Sequence, residues 1–86
     1  MMKIRYTKHA ALEKLAILEQ HNFVVTRRQI REIIFRPDHQ EPGKHPFQFI
    51  ASKQVDERHI LRVVYRKDDD IIIVITFYPA EIGRYY

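Results

Sequence analysis

Apolar residues that alternate with arginines predict that one segment of the chain is a β-strand with two chemically different faces. Leu61, Val63 and Tyr65 fall on one face, because successive side chains of a strand point to opposite sides. Arg62 and Arg66 fall on the other face. Guanidinium groups are rarely buried unless they are paired. We therefore expect the apolar face to pack against helices and the arginine face to meet an anionic ligand.

The same period of two, or a continuous apolar run, predicts four strands in all. They cover residues 3–6, 47–53, 59–67 and 71–78. The turns at 55–58 and 68–70 are short enough to join the last three strands as antiparallel hairpins. Residues 38–46 contain a Pro-Gly pair and are predicted to form an exposed loop. Pro79 is expected to end the last strand.

Two helices are predicted between the first two of these strands. Thr7 has the side chain of an N-cap residue, and a helix over residues 8–20 collects leucines and alanines on one side. The second helix begins with a capping box, in which Thr26 and Gln29 each satisfy a backbone N–H of the first turn. Isoleucines supply its apolar stripe, and Pro37 stops it.

The predicted element order is β-α-α-β-β-β, an α+β fold with two helices packed on one face of an antiparallel meander sheet. The 86 residues suit a single domain, residues 1–86, near the low end of the size that sustains one core. The apolar fraction of 45% excludes disorder of the whole chain. Residues 47–53 are a candidate sheet edge, which leaves a homodimer formed by edge pairing open.

The net charge of +4 favours nucleic-acid or acidic-protein partners. The absence of cysteine excludes disulfides and thiolate zinc sites. The five histidines match no common metal-ligand spacing, so neither a metal nor a cofactor is expected. The sequence contains neither a signal-peptide pattern nor a membrane span of roughly 18 apolar residues. These features predict a cytoplasmic protein that has RNA as its first candidate partner and no membrane partner.

Several short segments resemble, in this order, a family of small uncharacterised bacterial and archaeal proteins. They are Tyr6-Thr7-Lys8-His9-Ala10 (a "KHA" helix start), Pro37-Asp38, the run from Leu61 to Tyr65, Val74-Ile75-Thr76, and Arg84-Tyr85. In plan the chain is also similar to BrnT-type toxins and, more distantly, to the RelE/ParE superfamily of toxin–antitoxin operons. This resemblance implies a compact α+β fold and, as in many members, endoribonuclease activity that a cognate antitoxin blocks. The ParE branch implies a different activity, the poisoning of DNA gyrase without RNA cleavage.

Metal-independent RNA cleavage needs a base for the 2′-hydroxyl, cationic donors at the scissile phosphate and an acid for the leaving 5′-oxygen. His9 is the first acid/base candidate, because imidazole titrates near neutral pH. Arg62 is the candidate for bidentate phosphate binding. Tyr85 is a further catalytic candidate, either as an acid/base group or by stacking on a base. The alternative for His9 is a hydrogen bond that fixes the helix on the sheet.

Five other residues are candidates for RNA contacts: Lys53, Arg66, Thr76, Tyr78 and Arg84. Each has a structural alternative. The arginines of the strand face can pair with the acidic turn residues, Lys53 can protect a sheet edge, and the tyrosines can seal the core. Two functions follow from the sequence: a toxin-like endoribonuclease, or a non-catalytic module of the same fold that binds RNA, gyrase or another protein.

Overall fold

Five strands form one mixed sheet in the computed structural model, which describes residues 3–14, 18 and 23–83. The elements are β1 (Lys3–Tyr6), α1 (His9–Lys14), α2 (Arg27–Phe35), β2 (His39–Pro42), β3 (Gln48–Gln54), β4 (His59–Asp68) and β5 (Ile71–Glu81). The strand order is β1-β5-β4-β3-β2. Strands β2 to β5 are antiparallel to their neighbours, whereas β1 runs parallel to β5.

The predicted pair of helices on an antiparallel meander is wrong. Among the described residues only α2, with nine residues, is a helix of more than two turns, and α1 is a six-residue π-helix. Part of the predicted first helix, residues 15–17 and 19–20, lies outside the described residues. The sheet is also mixed, because the edge strand β1 pairs with β5 in parallel, from Lys3 opposite Ile71 to Tyr6 opposite Val74.

The predicted loop at 38–46 contains a strand, β2, which pairs with β3 from His39 opposite Ser52 to Pro42 opposite Phe49. Its four residues are polar or Pro, as is common for a short edge strand, so it has no apolar alternation to signal it. Because β2 pairs with β3, the expectation that residues 47–53 form a sheet edge is also wrong. The sheet edges are β1 and β2.

Pro79 does not end the last strand, which continues to Glu81. The backbone N–H of Ile82 donates to the carbonyl of Arg58, and hydrogen-bonded pairs alternate with non-hydrogen-bonded pairs along an antiparallel ladder. Pro79, opposite Leu61, is at a non-hydrogen-bonded position, where a backbone N–H would point away from β4. On that outer side β1 has already ended, since its pairing stops at Val74. A missing N–H therefore breaks no ladder hydrogen bond there.

The second helix forms as predicted, from Arg27 to Phe35. The Thr26 hydroxyl accepts a hydrogen bond from the Gln29 backbone N–H at 3.1 Å. The Gln29 side-chain oxygen accepts one from the Thr26 N–H at 2.9 Å, which completes the capping box. Pro37 follows directly after the end of the helix, as expected from its missing N–H.

The core lies between α2 and one face of the sheet. The predicted apolar face of β4, formed by Leu61, Val63 and Tyr65, is buried there. The rest of this cluster comes from the two helices, from strands β3 and β5, and from two positions between the helices. It consists of Ala10, Leu18, Val25, Ile30, Ile33, Ile34, Ala51, Ile72, Val74 and Phe77. No helix in the described part of the chain is long and apolar enough to cross a membrane.

Candidate functional site

The face of the sheet that points away from this core carries the arginines of β4, and it is called the second face below. Tyr78, Arg62 and Ser52 lie side by side on it, because Arg62 is in register with Tyr78 of β5 and with Ser52 of β3. On the strand beyond, Glu41 is in register with Ile50, one step along the same face. The register therefore brings residues distant in sequence around Arg62.

Arg62 is buried, with only 4% of the whole residue's surface exposed. Its Nε donates a hydrogen bond to the Tyr78 hydroxyl at 3.0 Å, and its Nη1 donates to Ser52 Oγ at 3.4 Å. Its Nη2 donates to Glu41 Oε1 at 2.6 Å, which forms an ion pair. The Arg62 Cζ atom also lies 5.8 Å from the centre of the Tyr78 ring. Arg62 is thus a fixed charge whose main carboxylate partner is Glu41.

Burial alone would lower the pKa of Arg62, because removal from water disfavours the charged form. The hydrogen bonds with Tyr78 and Glu41 reverse this effect and raise the pKa above its ordinary value. Arg62 therefore stays charged at neutral pH.

His9 and Thr76 are in contact at the second face. His9 Nε2 lies 3.3 Å from Thr76 Oγ1, and the His9 side chain is exposed. Thr76 and Tyr78 are two residues apart on β5 and so point to the same side. Four of the sequence-predicted site residues, His9, Thr76, Tyr78 and Arg62, consequently form one contiguous row.

The other predicted site residues are dispersed. Arg66 is exposed on the second face, opposite Gln48. Lys53 belongs to the core side of β3, where its Nζ donates a hydrogen bond to the backbone carbonyl of Arg36 at 2.9 Å. Its charge thus stabilises the carboxyl end of α2. The predicted residues Arg84 and Tyr85 lie outside the described residues.

Sequence reasoning missed Glu41 on β2 and Ser52 on β3, which are both hydrogen-bond partners of Arg62. Glu41 belongs to the unrecognised strand β2, and Ser52 pairs with His39 of that strand. Glu41 is 21 residues from Arg62 in sequence. The general rule that a buried arginine needs an acidic partner predicts that such a partner exists, but it does not identify the acidic residue.

A second cationic region lies along the edge of the sheet. A groove of about 600 Å³ runs between β1 and α2 and is called the cationic groove below. Its lining residues are Lys3, Ile4, Arg5, Tyr6, Arg27, Arg28 and Arg31. Five of the seven are cations and none is acidic, so the groove favours an anionic ligand.

Two arginines of α2 are stacked on aromatic rings beside this groove. The Arg27 guanidinium lies 4.9 Å from the centre of the Tyr6 ring, and that of Arg31 lies 5.2 Å from the centre of the Phe35 ring. Such contacts hold a guanidinium in one orientation while leaving its N–H groups available. Partial burial raises the pKa of Tyr6, an effect that the positive charges of Arg27 and Arg31 oppose.

Among the described residues, no three His, Cys, Asp or Glu side chains converge to hold a metal ion. Comparison with known proteins finds no match for this chain among protein-family models, curated proteins or solved structures. The geometry of the second face and of the cationic groove is therefore the basis for any assignment of function.

Proposed function

We propose that this protein binds RNA through the cationic groove. The observation that carries the proposal is the composition of the groove, five cations without a carboxylate, lined along one side by a helix. Phosphate groups recur at short intervals along a nucleic acid and bind arginine strongly, often through two hydrogen bonds. A row of arginines on consecutive turns of α2, with Lys3 and Arg5 opposite, suits such a repeating anion.

The groove supplies affinity rather than sequence specificity. Contacts with phosphates position a nucleic acid but carry no direct information about its bases. Each neutralised phosphate releases counterions, so log K falls with log salt concentration by about 0.7 per contact for a single strand. A ligand that engages all the groove cations therefore has a steep salt dependence.

The test is a titration of a fluorescently labelled single-stranded RNA at several salt concentrations. Wild type is compared with the double variant Arg28→Gln/Arg31→Gln, which removes two exposed charges from the groove. We expect the variant to bind more weakly and its salt slope to fall by about 1.4. Arg58→Gln is the matched control, because Arg58 is exposed and lies outside the groove.

Equal salt slopes for wild type and the double variant would exclude the groove as the RNA site. Poly-glutamate is titrated in parallel, because the groove charges attract any polyanion. Equal affinity for poly-glutamate and RNA at matched charge would favour an acidic protein partner instead.

A second candidate function, RNA cleavage, is favoured by the row of His9, Thr76, Tyr78 and Arg62. The Tyr78 oxygen accepts a hydrogen bond from Arg62, which leaves the phenolic hydrogen to be donated to another group. His9 is exposed and adjacent to Thr76. The row therefore offers a proton acceptor, a proton donor and a fixed positive charge in one place.

In this mechanism His9 takes the proton of a ribose 2′-hydroxyl, and the 2′-oxygen attacks the neighbouring phosphorus. The bond from phosphorus to the 5′-oxygen breaks, and Tyr78 gives its proton to that leaving oxygen. Arg62 stabilises the negative charge that Tyr78 acquires. The products are a 2′,3′-cyclic phosphate and a free 5′-hydroxyl, and no metal takes part.

The cleavage test uses purified protein, RNA and an excess of chelator, with and without ribosomes. Cyclic-phosphate ends are expected with wild type and are expected to fall at least about 100-fold with His9→Asn or Tyr78→Phe. Arg62 is left intact because it is buried and hydrogen-bonded to three side chains, so we expect its substitution to destabilise the fold as well. Intact RNA with the wild type would exclude cleavage under both conditions and would leave binding as the function.

The setting that we propose is a cytoplasmic toxin–antitoxin pair, as the sequence resemblance implies. A cognate antitoxin would then be a protein partner, and a homodimer through the edge strand β1 or β2 is a further proposal. Induced expression should arrest growth if the protein is a toxin. Growth arrest with intact RNA would point to gyrase or another protein as the target.

A further inference from the structure

Phe47 is a bulky residue in a backbone conformation that such residues seldom adopt. It lies in the turn between β2 and β3 with φ at +64°, in the left-handed region. Phe47 is 72% exposed, the highest value among the exposed large apolar residues of the described part of the chain. Strained backbone of this kind persists only where the surrounding structure holds it in place, and it is concentrated at functional sites.

Backbone hydrogen bonds on both sides fix the turn. The Phe47 carbonyl accepts from the Lys67 N–H at 2.9 Å, and the Gln48 N–H donates to the His45 carbonyl at 3.1 Å. The Gly43 N–H donates to the Gln48 carbonyl at 2.8 Å. A Cβ on Gly43 would lie 2.7 Å from the Gln48 side chain, so the close approach requires glycine. The turn therefore presents the Phe47 ring to solvent from a rigid base.

A row of residues on the second face connects this turn with the cationic groove. Gln48 is in register with Arg66, Arg66 with Ile73, and Ile73 with Arg5 of β1. Neighbouring strands are about 4.8 Å apart, so Arg5 and Gln48 are separated by about 14 Å. Arg5 also lines the cationic groove. A single-stranded RNA that leaves the cationic groove at Arg5 thus reaches Phe47 within a few nucleotides and passes Arg66 on the way.

We propose that Phe47 stacks on an unpaired base of single-stranded RNA whose backbone follows Arg5 and Arg66 across the second face. This inference rests on the RNA binding proposed above. Base–aromatic stacking is sequence-tolerant and complements phosphate contacts, which by themselves hold only the backbone. The turn between β4 and β5, residues 68–70, consists of three aspartates and repels phosphates. The RNA backbone therefore passes over Arg66 and not over this turn.

The test uses single-stranded RNA that contains 2-aminopurine, whose fluorescence is quenched by stacking. Wild type, Phe47→Gly and Phe47→Trp are compared for affinity and quenching. We expect Phe47→Gly to bind roughly 5- to 100-fold more weakly and to lose the quenching. Its denaturation midpoint should stay close to that of wild type, because glycine adopts a positive φ without strain. Phe47→Trp should retain both signals.

Two controls isolate the stacking contribution. Val24→Ser removes another exposed apolar side chain, 68% exposed, and should bind like wild type. Double-stranded RNA should bind wild type and Phe47→Gly equally, because paired bases are not available to the ring. If Phe47→Gly is unstable, Phe47→Asn replaces it, since asparagine tolerates the left-handed region.

The outcomes separate the two proposals. If wild type binds single-stranded RNA and Phe47→Gly binds it equally well, the stacking inference is overturned and RNA binding through the groove stands. If wild type does not bind RNA at all, both fall.

Discussion

Glu41 and Arg62 form an ion pair between the edge strand β2 and the central strand β4, with Oε1 and Nη2 2.6 Å apart. The two side chains differ in environment: that of Arg62 is 5% exposed and that of Glu41 is 39% exposed. The pair crosses over β3, so it ties the polar edge strand to the middle of the sheet. Glu41 thus has a structural role whether or not the second face binds RNA.

Replacement of Glu41 should destabilise the protein because it leaves a buried guanidinium without its carboxylate. For Glu41→Gln we expect a loss of about 1–3 kcal/mol in the free energy of unfolding, measured by urea denaturation. The value is below that of a fully buried pair because Glu41 is partly hydrated. Glu57→Gln, at an exposed position in a turn, is the control and should change stability by less than about 0.5 kcal/mol.

Removal of both charges should cost less stability than the two single removals added together. The double variant Glu41→Leu/Arg62→Leu leaves no buried charge, so its loss should fall short of the sum of the two single losses by about 0.5–3 kcal/mol. A double-mutant cycle measures this coupling. Strict additivity would contradict an energetic role for the pair.

Local sequence signals predicted the elements whose determinants lie close together in the chain. The capping box of α2 involves residues three apart, Thr26 and Gln29, and both of its hydrogen bonds are present. The alternation in β4 correctly assigned Leu61 to the core and Arg62 to the opposite face. In each case a local rule, helix capping or the period of two, is sufficient.

Features that depend on strand pairing were not predictable in the same way. β2 is recognised as a strand only through its hydrogen bonds with β3, because its sequence, His-Gln-Glu-Pro, is polar. The parallel pairing of β1 with β5 joins segments at opposite ends of the chain. The partner of Arg62 and the alignment of His9 with Thr76 depend on this pairing. The register of strand pairing therefore determines which side chains come together in the candidate site.

Thr7 joins α1 to the irregular part of β5. Its hydroxyl donates to the Ile75 carbonyl at 3.0 Å and accepts from the Ala10 N–H at 3.2 Å. Ile75 is the unpaired residue of a β-bulge, since Val74 and Thr76 pair with consecutive residues of β4. Thr7→Val removes both hydrogen bonds at nearly constant shape, and we expect a loss of about 1–2 kcal/mol by urea denaturation.

Thr7→Ser is the matched control, because serine keeps the hydroxyl and should retain most of the stability. Amide hydrogen exchange provides a local readout: protection of the Ala10 N–H should fall in Thr7→Val and persist in Thr7→Ser. If the serine variant lost as much stability as the valine variant, the threonine methyl group would be the stabilising element instead.

Lys53 satisfies a carbonyl at the end of α2. Its Nζ donates to the Arg36 carbonyl at 2.9 Å and lies 4.0 Å from Glu32. Lys53→Met keeps the aliphatic stem but loses the donor, and we expect a loss of about 0.5–1 kcal/mol in the free energy of unfolding. RNA affinity should stay within about twofold of wild type, because Lys53 lies on the core side of the sheet. A selective loss of RNA affinity would place it in the binding surface after all.

Asp56 should make stability depend on pH in the acid range. Its carboxylate accepts hydrogen bonds from the backbone N–H groups of Arg58 and His59, at 2.8 and 2.7 Å, and lies 3.0 Å from His59 Nδ1. The Arg58 N–H contributes most to the lowering of the Asp56 pKa, and the His59 hydrogen bonds add to it. These bonds favour the ionised form, so they join β3 to β4 most strongly when Asp56 is charged.

The direction of this pH dependence follows from the difference in proton binding between the folded and unfolded states. The pKa of Asp56 is lower in the folded state than its ordinary value of 3.8, so the unfolded chain takes up the proton first on acidification. The stability gained from the carboxylate is complete above about pH 5 and is lost as pH falls through the lowered folded pKa. Urea denaturation of wild type and Asp56→Asn should show a gap that is constant from about pH 5 to about pH 7 and narrows on further acidification. Glu57→Gln, in the same turn, should show no comparable gap, and a gap for Asp56→Asn that widened in acid would contradict the assignment.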